Sequence, residues 1–414
     1  MLRSSNDFHG PQPYLGGWFE PNVPGVIIAA AAHWGPRRRL LVDIHHHLYL
    51  FSIQLSRTPN SYYHASRFVF TAATALVSSV LGSPVARSCS SPYTRKEWRE
   101  LSTTEQTQFI TALKCLGELP HSTLVPTNYT AGIVSVNPSS SRYDDFVYAH
   151  MDTNVKDHFT GLFLPWHRWY LTAFEKELRT QCDYTGYLPY WDWSLDSGNV
   201  VASPVFSSST TTGFGSFGVA PGYQVTDGAF ATVQRAYPTP HVIARNFKAK
   251  PFEEQVFPFE FTTPDLLAAD TFTPAKITEI VNGFSGDFIG FAAHMDGVRA
   301  QGMHNAAHLM TRPGDLSNPS HSPNDPLFFL HHANLDRIWD KWQRKSTANS
   351  AAYGGGSVQD LAAYDTYPVG APPNVDTTWA LPTSGLDSAL TVSDVMSTTG
   401  GYLCFVYSEF TGSA

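Results

Sequence analysis

The chain is short of cysteine and of contiguous charge of one sign. Its four cysteines, Cys89, Cys115, Cys182 and Cys404, form no C-x-x-C pair, so a thiolate metal cluster is excluded. No Lys/Arg run exceeds Arg37 to Arg39, and a net charge of −8 with a pI near 6.1 excludes nucleic acid as a partner. The main apolar run, residues 68–86, is too short and too rich in Ser and Thr for a stable membrane span. Also missing are H-E-x-x-H, a G-x-S-x-G elbow, a P-loop, a strand-borne G-x-G-x-x-G and any solenoid-type repeat. The common zinc-protease, serine-hydrolase and nucleotide-binding readings go with them. What is plentiful is aromatic and apolar: 14% and 42% of 414 residues, enough for one large or two ordinary rigid cores.

Taken in order, residues 1–66 read unlike the rest and form an atypical N-terminal extension, with a gene-model artefact or an unusual pro-region as its origin. They hold scattered Pro and Gly, an Ala run at Ala29–Ala32 and a His45–His47 triplet, whose adjacent side chains diverge too much to chelate. Residues 67–86 have the length and small-residue ending of a secretory signal, here internal. All four cysteines and the single glycosylation sequon, Asn128-Tyr129-Thr130, follow it, so secretion is the expected localisation and residues 87–410 the working domain. Of three possible disulfide pairings, the expected one is Cys89–Cys404, joining the ends of the mature chain, with Cys115–Cys182 tying two helical segments.

Beyond Cys89 the pattern is mainly helical. Ser102 to Glu105 is a capping box ahead of Phe109, Ile110 and Leu113. Helices are predicted over Tyr143–Met151, Pro165–Arg179, Gly302–Met310 and the stretch Asn324 to Trp342. Tyr190-Trp191-Asp192-Trp193 reads as a buried aromatic corner, and residues 197–228 and 346–375 as long loops.

Histidines mark these helices. In the last, His332 shares one apolar face with Leu335 and Trp339, so its ring points inward and needs a partner at each nitrogen. A metal with an outer acceptor supplies both, and Asp336 and Arg337, one turn on, are candidates for that outer layer. His304 and His308 stand at i and i+4, on one helix face; with 17 histidines, roughly one such pair arises by chance. His150, His158 and His167 make a second set. Two three-histidine sets without cysteine suit a borderline metal such as copper or zinc.

These segments resemble the tyrosinase/catechol oxidase (polyphenol oxidase) family of type-3 copper proteins. The first motif is His150, then His158-Phe-Thr-Gly-Leu-Phe163-Leu-Pro165-Trp-His167-Arg168 with Glu175 two turns on. The second is His304-Asn305-Ala-Ala-His308, then Asn324-Asp325-Pro326 through His332 to Asp336-Arg337. The resemblance spans roughly Cys89 to Tyr407 and implies an antiparallel four-helix bundle around two copper ions. It implies that His150, His158 and His167 hold one ion and His304, His308 and His332 the other, with His331 in the outer layer. Phe328 matches the aromatic over the second copper. Only about seventy residues follow Trp342, and Phe405-Val406-Tyr407 resembles the motif that closes the catalytic domain, so a C-terminal plug domain is expected to be absent.

The implied chemistry is oxidation of small phenolic substrates, catechols above all, to o-quinones with O₂ reduced to water. Two departures qualify it. Some members join the second histidine of the first set to a cysteine two residues upstream; here that position is Lys156. Members that hydroxylate monophenols pair an Asn after the first histidine of the second set with an upstream Glu. Asn305 is present, but the nearby position is Gln301, which cannot accept a proton as a carboxylate would. Monophenol hydroxylation is therefore expected to be weak or restricted. Within the family, a true tyrosinase or an o-aminophenol oxidase are the alternatives; outside it, a dioxygen carrier or a zinc-held structural bundle. Monomer and dimer are equally compatible with the sequence.

Overall fold

The computed structural model describes residues 89–231, 233–255 and 259–410, together with the strands Leu41–Ile44 and His47–Leu50. The chain divides into two compact units, Met1–Ser79 and Val80–Ala414. In the first, the two strands pair antiparallel, Leu41 opposite Leu50. The expected signal stretch at residues 67–86, His45 and His46, and most of the N-terminal extension lie outside the described residues.

The second unit is mainly helical. Its main helices are α1 (Thr103–Glu118), α2 (Arg142–Asp157), α3 (Phe163–Gln181), α4 (Pro274–Asn282), α5 (Phe288–Asp296), α6 (Met303–Leu309) and α7 (Leu327–Gln343). Two further short helices, Thr347–Ala351 and Val392–Val395, several single 3-10 turns and a few strands of two to four residues are also present among the described residues. Reciprocal side-chain bonds start α1 and α2: Ser102 with Glu105, and Ser141 with Asp144. α2 runs six residues beyond the expected Met151, and both long loops contain short turns or strand pairs.

α7 is buried on every side from Leu327 to Asp340, the mark of a central helix. It packs on α3 and α4, while α3 also meets α1 and α2. At the α3–α7 contact the rings of Phe174 and Phe329 stack with centroids 3.5 Å apart, and Tyr143 of α2 meets both edge-on. The Tyr190–Trp193 corner is buried as expected.

Buried charge ties this core to the chain ends. Asp336 accepts from Arg168 Nε at 2.5 Å and from the Tyr407 hydroxyl at 2.6 Å, and Arg168 lies 3.7 Å over the Trp339 ring. Glu175 accepts from Arg95 Nε at 3.0 Å, Tyr93 at 2.5 Å and the Leu188 amide at 2.8 Å. Arg337 pairs with Asp192 at 2.8 Å and donates to Asn334 at 2.7 Å. Expectation and structure differ here: the bonds of Asp336 and Glu175 run to buried guanidinium, hydroxyl and amide groups and those of Arg337 to Asp192 and Asn334, none of them to a histidine. Tyr93–Arg95 and Phe405–Tyr407 pair as parallel strands, beside a Cys89–Cys404 disulfide; Cys115–Cys182 ties α1 to the end of α3. Both pairings are the expected ones.

An Asp336→Ala change leaves Arg168 buried without its carboxylate, which costs about 3–5 kcal/mol. Denaturant unfolding of metal-free protein is expected to register that loss; an unchanged midpoint would place Asp336 in a role other than this structural one.

Candidate metal centre

Each helix reaches the centre for a local reason. α2 ends at Asp157, and His158 takes extended backbone. Phe159 follows with φ of +52° and turns the chain into α3. α3 carries His167 one turn in, α6 carries His304 and His308 on one face, and α7 carries His331 and His332. α6 is presented by a tight reversal after α5. Gly297 has φ of +78°, and a Cβ there would lie 2.3 Å from the Gly302 nitrogen. Gly302 in turn donates its amide to Asp296 O at 2.6 Å, and a Cβ on it would lie 2.4 Å from the Asp296 carbonyl carbon.

The result is two facing sets of imidazoles. The ligand-capable nitrogens of His150, His158 and His167 lie within 4.8 Å of one another, as do those of His304, His308, His331 and His332. Across the two sets, His167 and His332 stack with centroids 4.3 Å apart.

Hydrogen bonds at Nδ1 aim the rings. His150 donates to Ser320 O at 2.6 Å, His167 to Phe163 O at 2.8 Å and His308 to Leu316 O at 2.6 Å. His304 donates to Asp296 Oδ1 at 2.6 Å, and His158 Nδ1 lies 2.8 Å from Asp157 Oδ1. A ring that donates from Nδ1 keeps its lone pair on Nε2. Those Nε2 atoms point inward: His150, His167 and His304 have no protein partner there, and His308 Nε2 faces His332 Nε2 at 3.2 Å. Buried acceptors without donors are costly, and converging ones match what a metal ion needs. Burial, with neighbouring histidines, holds His150, His167, His308 and His332 well below the ordinary imidazole value, so they are neutral. For His158 burial also pushes downward, but the Asp157 carboxylate outweighs it and the net shift is upward.

His331 is set apart. Trp193 Nε1–H donates to its Nδ1 at 3.1 Å, so the neutral ring carries its hydrogen on Nε2 and has no lone pair to offer the cluster. Phe328 has its centroid 4.1 Å from His332 and 5.1 Å from His150, a wall shared by both sets. Lys156 donates to Ser357 O at 3.0 Å, away from His158, which is oriented by Asp157 and Asn154. Asn128 is exposed on its loop.

Gln301 differs from expectation. Its amide is engaged with Thr262 and Thr263, and Asn305 instead donates to Asp296 Oδ1 at 3.0 Å, the oxygen that also holds His304. Sequence reasoning missed Asp296 because it lies eight residues before His304, across a reversal; the Asp296-Gly297 dipeptide was the available signal. It also missed Asp157, and it placed Phe163 in the first motif and Trp193 in the aromatic corner without a role toward the second set, where the Phe163 ring centroid lies 4.6 Å from His304. On one side of the centre His308, Asn305 and Leu309 are only half-buried.

Comparison with known proteins agrees with this geometry. The tyrosinase family, described as the common central domain of tyrosinase, matches residues 140–345. The tyrosinase-like protein phomQ1' of Diaporthe leptostromiformis is 34% identical over 339 residues, covering 77% of this chain and 80% of the relative. Tyrosinase ustQ of Aspergillus flavus is 30% identical over 345 residues, covering 77% and 80%. Among solved structures, a polyphenol oxidase of Thermothelomyces thermophila shares the fold at a TM-score of 0.60 and 24% identity, covering 77% of this chain and 89% of that one. With two facing histidine sets at its centre and such relatives along most of its length, the chain belongs to the tyrosinase family of type-3 copper oxidases.

Proposed function

We propose that this chain is a secreted oxidase that converts o-diphenols to o-quinones while reducing O₂ to water. The observation that carries the reading is the convergence of buried Nε2 atoms from two facing histidine sets. His150, His158 and His167 would hold one copper ion, and His304, His308 and His332 the other. When bound, the copper pair supplies a site for O₂ and a route for two electrons at a time. The protein's own part is orientation and dryness. Backbone carbonyls and two carboxylates fix the rings, while Phe163 and Phe328 keep water from the reacting atoms. A phenol would enter over the half-buried side formed by Asn305, His308 and Leu309. The two disulfides and the exposed sequon support an oxidising, secretory compartment. No described helix is long and apolar enough to cross a membrane.

Restricted monophenol hydroxylation remains part of the proposal, on new grounds. The carboxylate beside Asn305 is Asp296, but its Oδ1 already accepts from both His304 and Asn305. That oxygen orients its two donors, a positioning role for Asp296 toward His304 and Asn305.

Purified protein is expected to bind two copper ions per chain and to oxidise catechol faster than tyrosine or o-aminophenol in side-by-side quinone assays. His167→Ala and His332→Ala should each abolish turnover with loss of copper. Zinc without copper, or no quinone from any of the three, would overturn the assignment.

Asp296→Asn should lower catechol and tyrosine turnover together, by about 10–100-fold. Selective loss of tyrosine turnover would instead make Asp296 the base.

The depressed histidines also fix a sign for acid. Their folded values lie below the unfolded value of about 6.5, so the unfolded chain takes up protons first as pH falls. Metal-free protein should therefore be stable above about pH 6.5 and lose stability progressively below it, with copper opposing the loss. Equal denaturant midpoints for the metal-free chain on the two sides of that value would contradict this.

A further inference from the structure

Two of the Nδ1 acceptors stand apart from the others. His158 and His167 are held from within their own chain segments, and His304 by Asp296 at the end of α5. His150 and His308 belong to opposite sets, yet both donate to one loop between α6 and α7: His308 to Leu316 O and His150 to Ser320 O. A single irregular segment therefore sets one ring on each side of the centre.

A segment without regular secondary structure needs its own anchor, and that anchor is Asp315, directly before Leu316. It is 4% exposed. Its Oδ2 accepts from the Ala244 amide at 2.8 Å, its Oδ1 from His241 Nε2 at 2.8 Å, and its own amide donates to Ala244 O at 2.9 Å. His321, in the same loop, places Nε2 3.9 Å from that Oδ1. Asn318 carries the order onward: its amide donates to Asp315 O, and its side-chain oxygen accepts from the Ser320 and His321 amides at 2.9 and 3.2 Å. A continuous set of bonds thus runs from Asp315 to both carbonyls that hold the rings.

We propose that Asp315, clamped by His241 and the Ala244 backbone, is a positioning residue that orients one histidine of each set, His150 and His308, through one loop. It touches neither metal nor substrate, and acts only through Leu316 O and Ser320 O. The proposal rests on the dicopper reading for its consequence, but not for its geometry.

The test uses Asp315→Asn, with His241→Gln as a milder second variant that keeps the Asp315–Ala244 bonds. Ring-nitrogen NMR of histidine-labelled, metal-free protein should report changed environments for His150 and His308, with His167 and His304 unmoved. Copper-loaded Asp315→Asn protein should lose its metal to a chelator about tenfold faster than the parent. Rings unchanged in both variants, or all four rings displaced alike, would overturn the proposal. If the parent chain takes up no copper, the dicopper reading fails, and the ring spectra of the metal-free chain still decide this one.

Discussion

The structure depends on a simple constraint: a neutral imidazole has one hydrogen and one lone pair on its nitrogens. Once Nδ1 is committed to an acceptor behind the ring, the lone pair must face forward. Five of the six histidines proposed as ligands have an acceptor behind them: a backbone carbonyl for His150, His167 and His308, and a carboxylate for His158 and His304. The same rule removes His331, whose Nδ1 is the acceptor, from Trp193. The distinction between two adjacent histidines thus traces to an indole 138 residues earlier in the chain, on the Tyr190–Trp193 corner, rather than to the histidines themselves.

Holding rings from four helices in register calls for a core that does not slide. Aromatic stacking between α3 and α7 supplies area and shape, but the fixed points are buried ion pairs. Arg168–Asp336 joins α3 to α7, Arg95–Glu175 joins the Tyr93–Arg95 strand to α3, and Arg245–Asp325 binds the approach to α7 through two contacts of 2.8 Å. Such pairs add little net stability, yet breaking one strands a charge, so alternative packings are heavily penalised. Tyr407 and Phe405 extend this to the far end of the unit: the hydroxyl bonds Asp336, and Arg95 lies 3.8 Å over the Phe405 ring.

Much of this was legible beforehand. Helical periodicity, capping boxes and the spacing of six histidines located the start of α1 and, to within a few residues, α2, α3, α6 and α7, apart from the last turns of α2. The disulfide partners were also as expected. What was not legible depends on three-dimensional reversal. Asp296 meets His304 only because Gly297 and Gly302 fold the chain back on itself, so a search of adjacent positions found Gln301 instead. Asp336, Arg337 and Glu175 carry the right chemistry at plausible spacing, but distant arginines and tyrosines claim the two carboxylates and Asp192 claims the guanidinium, and sequence spacing does not report such competition. The role of carbonyls, as at Leu316 and Ser320, leaves no trace in side-chain identity at all.

The central claim is that two metal ions are each gripped by the Nε2 atoms of three particular histidines. Anomalous diffraction at the copper edge from crystals of the loaded protein tests it directly. The account predicts two copper peaks, one bonded to Nε2 of His150, His158 and His167 and the other to Nε2 of His304, His308 and His332. A single peak, ligation through Nδ1, or a bond to His331 would contradict it.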